Sequence, residues 1–199
     1  MRVFAGLGNP GGRYAQNRHN IGFMALDVLA DRHGFGPWRS RFQGLASEGN
    51  LAGGKVLLLK PQTFMNESGR SIAEAARFFK LPPAAIAVWH DELDLAPGKV
   101  RVKPGGGVAG HNGLRSAQAC LGTPGFKRVR LGIGHPGDRE RVLGYVLGDF
   151  SRNDREWLGP FLDALADAAP LLAADDDAGF MNKVALVAPA PRPDKREPA

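Results

Sequence analysis

The sequence predicts an α/β fold, a single-domain mixed twisted sheet with helices on both faces, on three observations. Short apolar runs alternate along the chain with stretches of helical period. Most of these runs are continuously apolar, as suits strands covered on both faces. At 199 residues the chain can bury one full core.

The first strand candidate is Val3 to Ala5, and the segment after it reads GLGNPGGRYAQNRHNIGF. Gly6, Gly8 and Gly11 match the G-x-G-x-x-G dinucleotide fingerprint, but the mechanism behind that fingerprint is missing. In a nucleotide-binding turn the helix begins within the glycines, so that its N–H groups face the pyrophosphate. Here Pro10 removes a donor and Pro10-Gly11-Gly12 continues as loop. The helix starts near Asn20, where Ile21, Met24, Ala25, Val28 and Leu29 share one face, and Gly34 supplies a stop. Asp27 therefore sits in mid-helix and not where a ribose-binding acid would stand.

A weaker strand is expected near Leu45 to Glu48 and a stronger one over Val56 to Leu59. Ile72, Ala75, Ala76 and Phe79 then mark a helix that Pro82-Pro83 ends. Ile86 to Trp89 and Val100 to Val102 are strands too close for a helical crossover, so they read as an antiparallel hairpin and make the sheet mixed. A helix over Asn112 to Leu121, a strand over Val129 to Ile133 and a helix over Arg139 to Leu147 follow. Ser151 precedes a longer helix with Trp157, Phe161, Leu162 and Leu165 on one side, interrupted or kinked at Pro170. A last helix near Asp177 to Val187 carries Phe180, Met181 and Val184. The domain thus spans residues 1–187, and residues 188–199, APAPRPDKREPA, have too little to bury and are expected to be a disordered tail.

No apolar run approaches transmembrane length, and the strand-like MRVFAGLG start leaves no room for a signal peptide. A soluble cytoplasmic protein without membrane attachment is expected. Cys120 has no partner for a disulfide and is expected as a small buried hydrophobe on its helix. Residues 1–147 hold 20 Lys+Arg against 10 Asp+Glu, while residues 148–199 hold 6 against 10, so a body of net +10 carries a C-terminal segment of net −4. The basic body suggests a polyanionic partner.

Polar residues recur after strands, where open α/β sheets place their ligands. Asn9 follows the first strand, Met65-Asn66 the second, His90-Asp91 the strand ending at Trp89, and Asn112 lies in GGGVAGHNG after Lys103. Each has a structural alternative: Asn9 shaping a turn, Asn66 or Asn112 capping a helix, Asp91 binding loop amides. Their convergence on one sheet edge, with His19 beside the first, points to a shared site. His90, His111 and His135 could be added as metal ligands, but no H-E-x-x-H or comparable spacing occurs, so no metal is expected.

These words closely resemble the bacterial-type peptidyl-tRNA hydrolase family. The likeness is carried by GLGNPGGRY, RHNIGF, KPQTFMNESG, HDELDLAPG, GGGVAGHNGLRS and RLGIGHPG, in family order over roughly residues 2–187. Asn17, Glu67 and Ala109 depart from frequent family residues without removing a functional side chain. The resemblance implies an enzyme that hydrolyses the ester joining a peptide to the 3′ ribose of tRNA, as a monomer and with no cofactor. It implies His19 as base, Asp91 as its hydrogen-bonding partner, and Asn9, Asn66 and Asn112 as residues that position substrate or water. Tyr14 and Met65 complete the implied substrate-binding set, and Lys103 and Arg130 match positions that hold tRNA phosphate. Histidine suits the base because its pKa lies near neutrality, and a carboxylate on the other ring nitrogen fixes the tautomer. With no G-x-S-x-G elbow, water is the expected nucleophile. The alternative is a non-catalytic, splicing-factor-like RNA-binding module on the same fold, and a small-molecule esterase would leave the basic body unexplained.

Overall fold

The computed structural model describes residues 1–192. Its strands are β1 (Arg2–Gly6), β2 (Arg39–Arg41), β3 (Gly44–Leu51), β4 (Gly54–Pro61), β5 (Ile86–Glu92), β6 (Val100–Pro104) and β7 (Lys127–Gly132). They form one sheet in the order β2-β3-β4-β1-β5-β7-β6. The inner strands β4, β1, β5 and β7 run parallel, β3 and β6 flank them antiparallel, and β2 pairs antiparallel with β3 at the outer edge. The helices are α1 (Ile21–Arg32), α2 (Ser68–Phe78), α3 (Asn112–Leu121), α4 (Val142–Val146), α5 (Arg155–Ala173) and α6 (Asp177–Val187).

Alternation along the central strands divides the core into two layers. Phe4, Leu58, Trp89 and Val129 pack with Ile21, Leu26, Phe161 and Phe180, so α1, α5 and α6 cover one face. Val3, Leu57 and Val88 pack with Ile72 and Leu114, so α2 and α3 cover the other. The α/β reading with helices on both faces therefore holds, and α3 and α6 occupy their predicted spans.

Several expectations need correction. Ile86–Trp89 and Val100–Val102 do not form a hairpin, because β7 lies between β5 and β6. The spacing excluded a helical crossover but left the partner undetermined. The connection instead passes the end of β7, pinned by Gly98 N–H to Gly132 O at 3.2 Å and Gly132 N–H to Lys99 O at 2.7 Å. The strand β5 also continues through His90 and Asp91 to Glu92, so these residues are not in a loop. Lys80, at φ 54, follows the end of α2 before the prolines are reached. The Arg139–Leu147 stretch divides into a 3₁₀ turn, Arg139–Arg141, and the short α4. Cys120 is exposed rather than buried. The polar strand β2 has no apolar signature and escaped the sequence reading.

Pro170 does not interrupt α5, which runs through it to Ala173. A proline at this position frees the carbonyl of Ala166 four residues earlier. The His33 ring takes that acceptor, its Nε2 donating at 2.7 Å. Residues 193–199 of the predicted tail lie outside the described residues; before them, Ala188 is buried.

Candidate active site

The ends of the parallel strands β1, β4 and β5 share one edge of the sheet, and the polar segments leave from there. Two glycines set how closely α1 can approach. A Cβ on Gly22 would lie 2.4 Å from Trp89 O, and one on Gly6 would lie 2.4 Å from Gly22 O. Only backbone fits at both positions, so the chain just before α1 is pressed onto the ends of β1 and β5. His19 stands in that chain, within a 3₁₀ turn of Arg18–Asn20.

His19 Nδ1 lies 2.9 Å from both Asp91 oxygens. His111 Nε2 lies 2.8 Å from Asp91 Oδ1. The N–H groups of Gly113 and Leu114 donate to His111 Nδ1 at 3.1 and 3.3 Å, making His111 the N-cap of α3. Because Nδ1 accepts, the proton of neutral His111 sits on Nε2 and points at Asp91. Asp91 therefore receives two histidine donors although it is only 3% exposed.

Burial would lower the pKa of His19, but the charge and hydrogen bond of Asp91 outweigh it and raise the value above the ordinary histidine range. Burial would conversely raise Asp91, and the two histidines hold it well below the carboxylate range. His90, next in the strand, behaves in the opposite way to His19. Full burial, reinforced by His111, pushes it down to about 3, and its Nδ1 donates to the Asp91 carbonyl at 2.8 Å.

Asn9 is fixed by backbone. Its N–H donates to Asn20 Oδ1 and its carbonyl accepts from Asn20 Nδ2, each at 2.9 Å. Its own Oδ1 accepts from Met65 N–H at 2.8 Å, leaving the Nδ2 group as the outward donor. Asn112 is oriented alike, because Arg115 Nη1 donates to its Oδ1 at 3.0 Å. Met65 is buried, with its sulfur against Gly113 at the start of α3, so Asn9, Met65 and the Asn112 turn form one continuous block. Asn66 is exposed. Tyr14 is half-buried and carries Arg13 over its ring at 4.7 Å.

A cleft of about 900 Å³ is lined by His19, Asp91, His111, Asn112, Lys103 and Arg130, among others. Asn9, Tyr14, Met65 and Asn66 do not line it. The other cations differ in their freedom. Lys127 is paired with Asp175 and Asp177, Arg130 donates from Nε to Glu92 at 3.0 Å, and Lys103 is exposed. Sequence reasoning placed Asn20 in the polar loop but missed its hold on Asn9, and it missed Glu92 and the role of His111. A signal for His111 existed, since it directly precedes the helix at Asn112, but its contact to Asp91 spans 20 residues.

The ligand atoms of His19, Asp91 and His111 lie within 4.8 Å of one another, the one group among the described residues with the spacing of a metal site. The donor set argues against that use. Metal on His111 Nε2 would move the proton to Nδ1, which is the acceptor of two α3 N–H groups.

Comparison with known proteins agrees with the geometry. The sequence model described as peptidyl-tRNA hydrolase matches residues 3–193. The chain is 64% identical to proteins of that name from Granulibacter bethesdensis, over 94% of this chain and 96% of the relative, and from Acidiphilium cryptum, over 94% and 97%. A crystal structure of peptidyl-tRNA hydrolase from Acinetobacter baumannii superposes with a TM-score of 0.88 at 42% identity, covering 96% of this chain and 97% of that one.

Proposed function

The chain belongs to the peptidyl-tRNA hydrolase family, and from that premise we propose that His19 activates water to cleave the ester between a peptide and the tRNA 3′ ribose. The observation that carries this assignment is the pairing of His19 Nδ1 with the buried, doubly donated carboxylate of Asp91. With its proton held at Nδ1, neutral His19 keeps a lone pair on Nε2. That nitrogen takes a proton from water as the water oxygen bonds to the ester carbonyl carbon. The tetrahedral intermediate then loses the 3′ oxygen, and the imidazolium returns the proton to it. Throughout, Asp91 stays ionised and stabilises the imidazolium.

Asn9 and Asn112 present amide N–H groups because their oxygens are engaged elsewhere. Donors of this kind suit a substrate carbonyl or the developing oxyanion. Asn66, Tyr14 and Met65 extend the substrate-binding set, and Lys103 and Arg130 hold phosphate. The catalytic domain is assigned to residues 1–187, acting as a cytoplasmic monomer. Among the described residues no helix is long and apolar enough to cross a membrane, which accords with that assignment. The family and the intact His19–Asp91 pair leave the non-catalytic RNA-binding reading without support.

The test is release of tRNA from N-acyl-aminoacyl-tRNA, compared with hydrolysis of a small N-acyl amino acid ester. Preference for the tRNA substrate is expected. Equal efficiency on both would return the chain to the small-ester reading.

A further inference from the structure

Four cations share one face of the antiparallel ribbon formed by β6 and β7. Arg101 opposes Arg130 and Lys103 opposes Arg128 in register, and directly opposed residues project to the same face. Like charges placed this way repel, so the ribbon gains nothing from them by itself. Arg130 is offset by Glu92. Arg128 is not.

Arg128 is 3% exposed. Among the described residues it makes no ion pair, and its Nη1 donates to the Gly107 carbonyl. Its Nε and Nη2 are buried without any acceptor among the described residues. Those two atoms form one edge of the guanidinium, whose parallel N–H bonds match two oxygens of a phosphate. Burying a charge with that edge unmatched costs free energy that folding must offset elsewhere.

The surroundings fit a phosphate. Arg128 lines the cleft together with Lys103 and Gly105 to Gly107. A Cβ on Gly106 would lie 3.8 Å from Arg128 Nη1 and 4.0 Å from Lys103 Cε, so both cations flank the same bare backbone. Gly106 itself has φ +112, a conformation that favours glycine. Arg128 pairs with Val88, three residues before Asp91 on β5, which places the two levels roughly 10 Å apart along the strand.

We propose that Arg128, with Lys103 opposite and the Gly105–Gly107 backbone beside it, forms an inner phosphate subsite for the RNA backbone of the substrate. It lies apart from the Arg130–Glu92 pair. The proposal rests on the reading of the chain as acting on peptidyl-tRNA.

Arg128→Met removes the charge and keeps much of the volume. For peptidyl-tRNA, KM should rise about tenfold or more, as when a bidentate charged hydrogen bond is removed. The log–log salt slope of tRNA binding should fall by about 0.7 to 0.9. A phosphate-free substrate, the peptide ester of adenosine, should lose at least about tenfold less than the tRNA substrate does. The thermal midpoint should fall little, because the buried charge that is removed has no carboxylate partner among the described residues and is held only by the Gly107 carbonyl and the Phe126 ring. An unchanged KM and salt slope would overturn the subsite, and so would a lower midpoint with equal losses on both substrates. Should Arg128→Met not fold, Arg128→Lys decides, since it keeps the charge and loses the fork. Its KM should rise several-fold at an unchanged slope, and a parental KM would reject the subsite. Failure is separable from that of the underlying reading: a parent inactive on peptidyl-tRNA removes both, whereas an active parent with indifferent Arg128 variants removes the subsite alone.

Discussion

His111 Nε2 stands 2.8 Å from the Asp91 oxygen that also lies 2.9 Å from His19 Nδ1, so one carboxylate oxygen serves two imidazoles. The second imidazole is tied to α3 through its cap. His111→Asn should retain a capping side chain but not reach Asp91. Hydrogen bonds to charged groups are worth about 1.5 to 3 kcal/mol. With one donor removed, Asp91 acts more strongly on His19, so the acid limb of kcat/KM should move up by about one pH unit and kcat should fall. A parental pH profile with reduced thermal stability would make His111 a cap and nothing more.

His19→Ala should reduce turnover by about 10²-fold or more while tRNA binding stays near the parental level, since the base acts in the transition state. Turnover at the parental rate would exclude His19 as the base.

Asp91→Asn should move the acid limb down, because the carboxylate is what raises His19. The stability side has a definite sign. A raised folded pKa means that the His19–Asp91 pair contributes fully below the ordinary histidine value of about 6.5 and loses its contribution as pH rises through the raised value. The destabilisation caused by Asp91→Asn should therefore be larger near about pH 6 than near about pH 9. Thermal melts at both values check this, and the reverse order would contradict the coupling.

His90 acts on stability with the opposite sign. Its pKa is pushed down to about 3 by burial, so the unfolded chain takes up a proton first. Its cost to stability grows as pH falls from about 6.5 toward about 3 and then levels off. His90→Gln does not titrate and can keep a donor for the Asp91 carbonyl. Its acid-unfolding midpoint, followed by circular dichroism, should lie at lower pH than that of the parent once the two are compared from equal stability at neutral pH.

Replacing Lys103 and Arg130 together by alanine should raise KM for peptidyl-tRNA and lower the salt slope by about 0.7 to 0.9 for each phosphate no longer held. The ion pair adds a converse expectation. Glu92→Gln leaves Arg130 without its carboxylate, and tRNA should then bind more tightly with a steeper salt dependence. Salt titrations of binding test both, and weaker binding by Glu92→Gln would mean that the carboxylate orients Arg130 for its phosphate.

Local periodicity made α3 and α6 legible, because each follows from its own apolar spacing and end signals. Pairing was less legible. The seven residues between β5 and β6 fix a connection length, and β7, which comes between them in the sheet, is not yet encoded at that point in the chain. The site shows the same division. His19, Asp91 and Asn112 stood out by residue type, but Asp91 looked like a loop residue because a charged side chain at the end of an apolar run reads as the run's end. It continues the strand because two histidines satisfy its carboxylate. Pro170 read as a break because its compensation comes from His33, far away in sequence.

The position of Asp91 on β5, paired to Leu131 and two residues beyond the bond from Leu7 N–H to Trp89 O, also sets how different parts of the site open. Amide hydrogens in such a strand exchange with solvent only through the largest unfolding events. The Gly105–Gly110 segment is tied at its start by Gly105 N–H to Phe126 O, and the turn after it by His111 N–H to Val108 O. Its amides should therefore exchange through small local openings. Deuterium uptake should divide the cleft into a slow wall built on β5 and β7 and a fast wall built on Gly105–Gly110, so that one side of the cleft can open without disturbing the His19–Asp91 geometry.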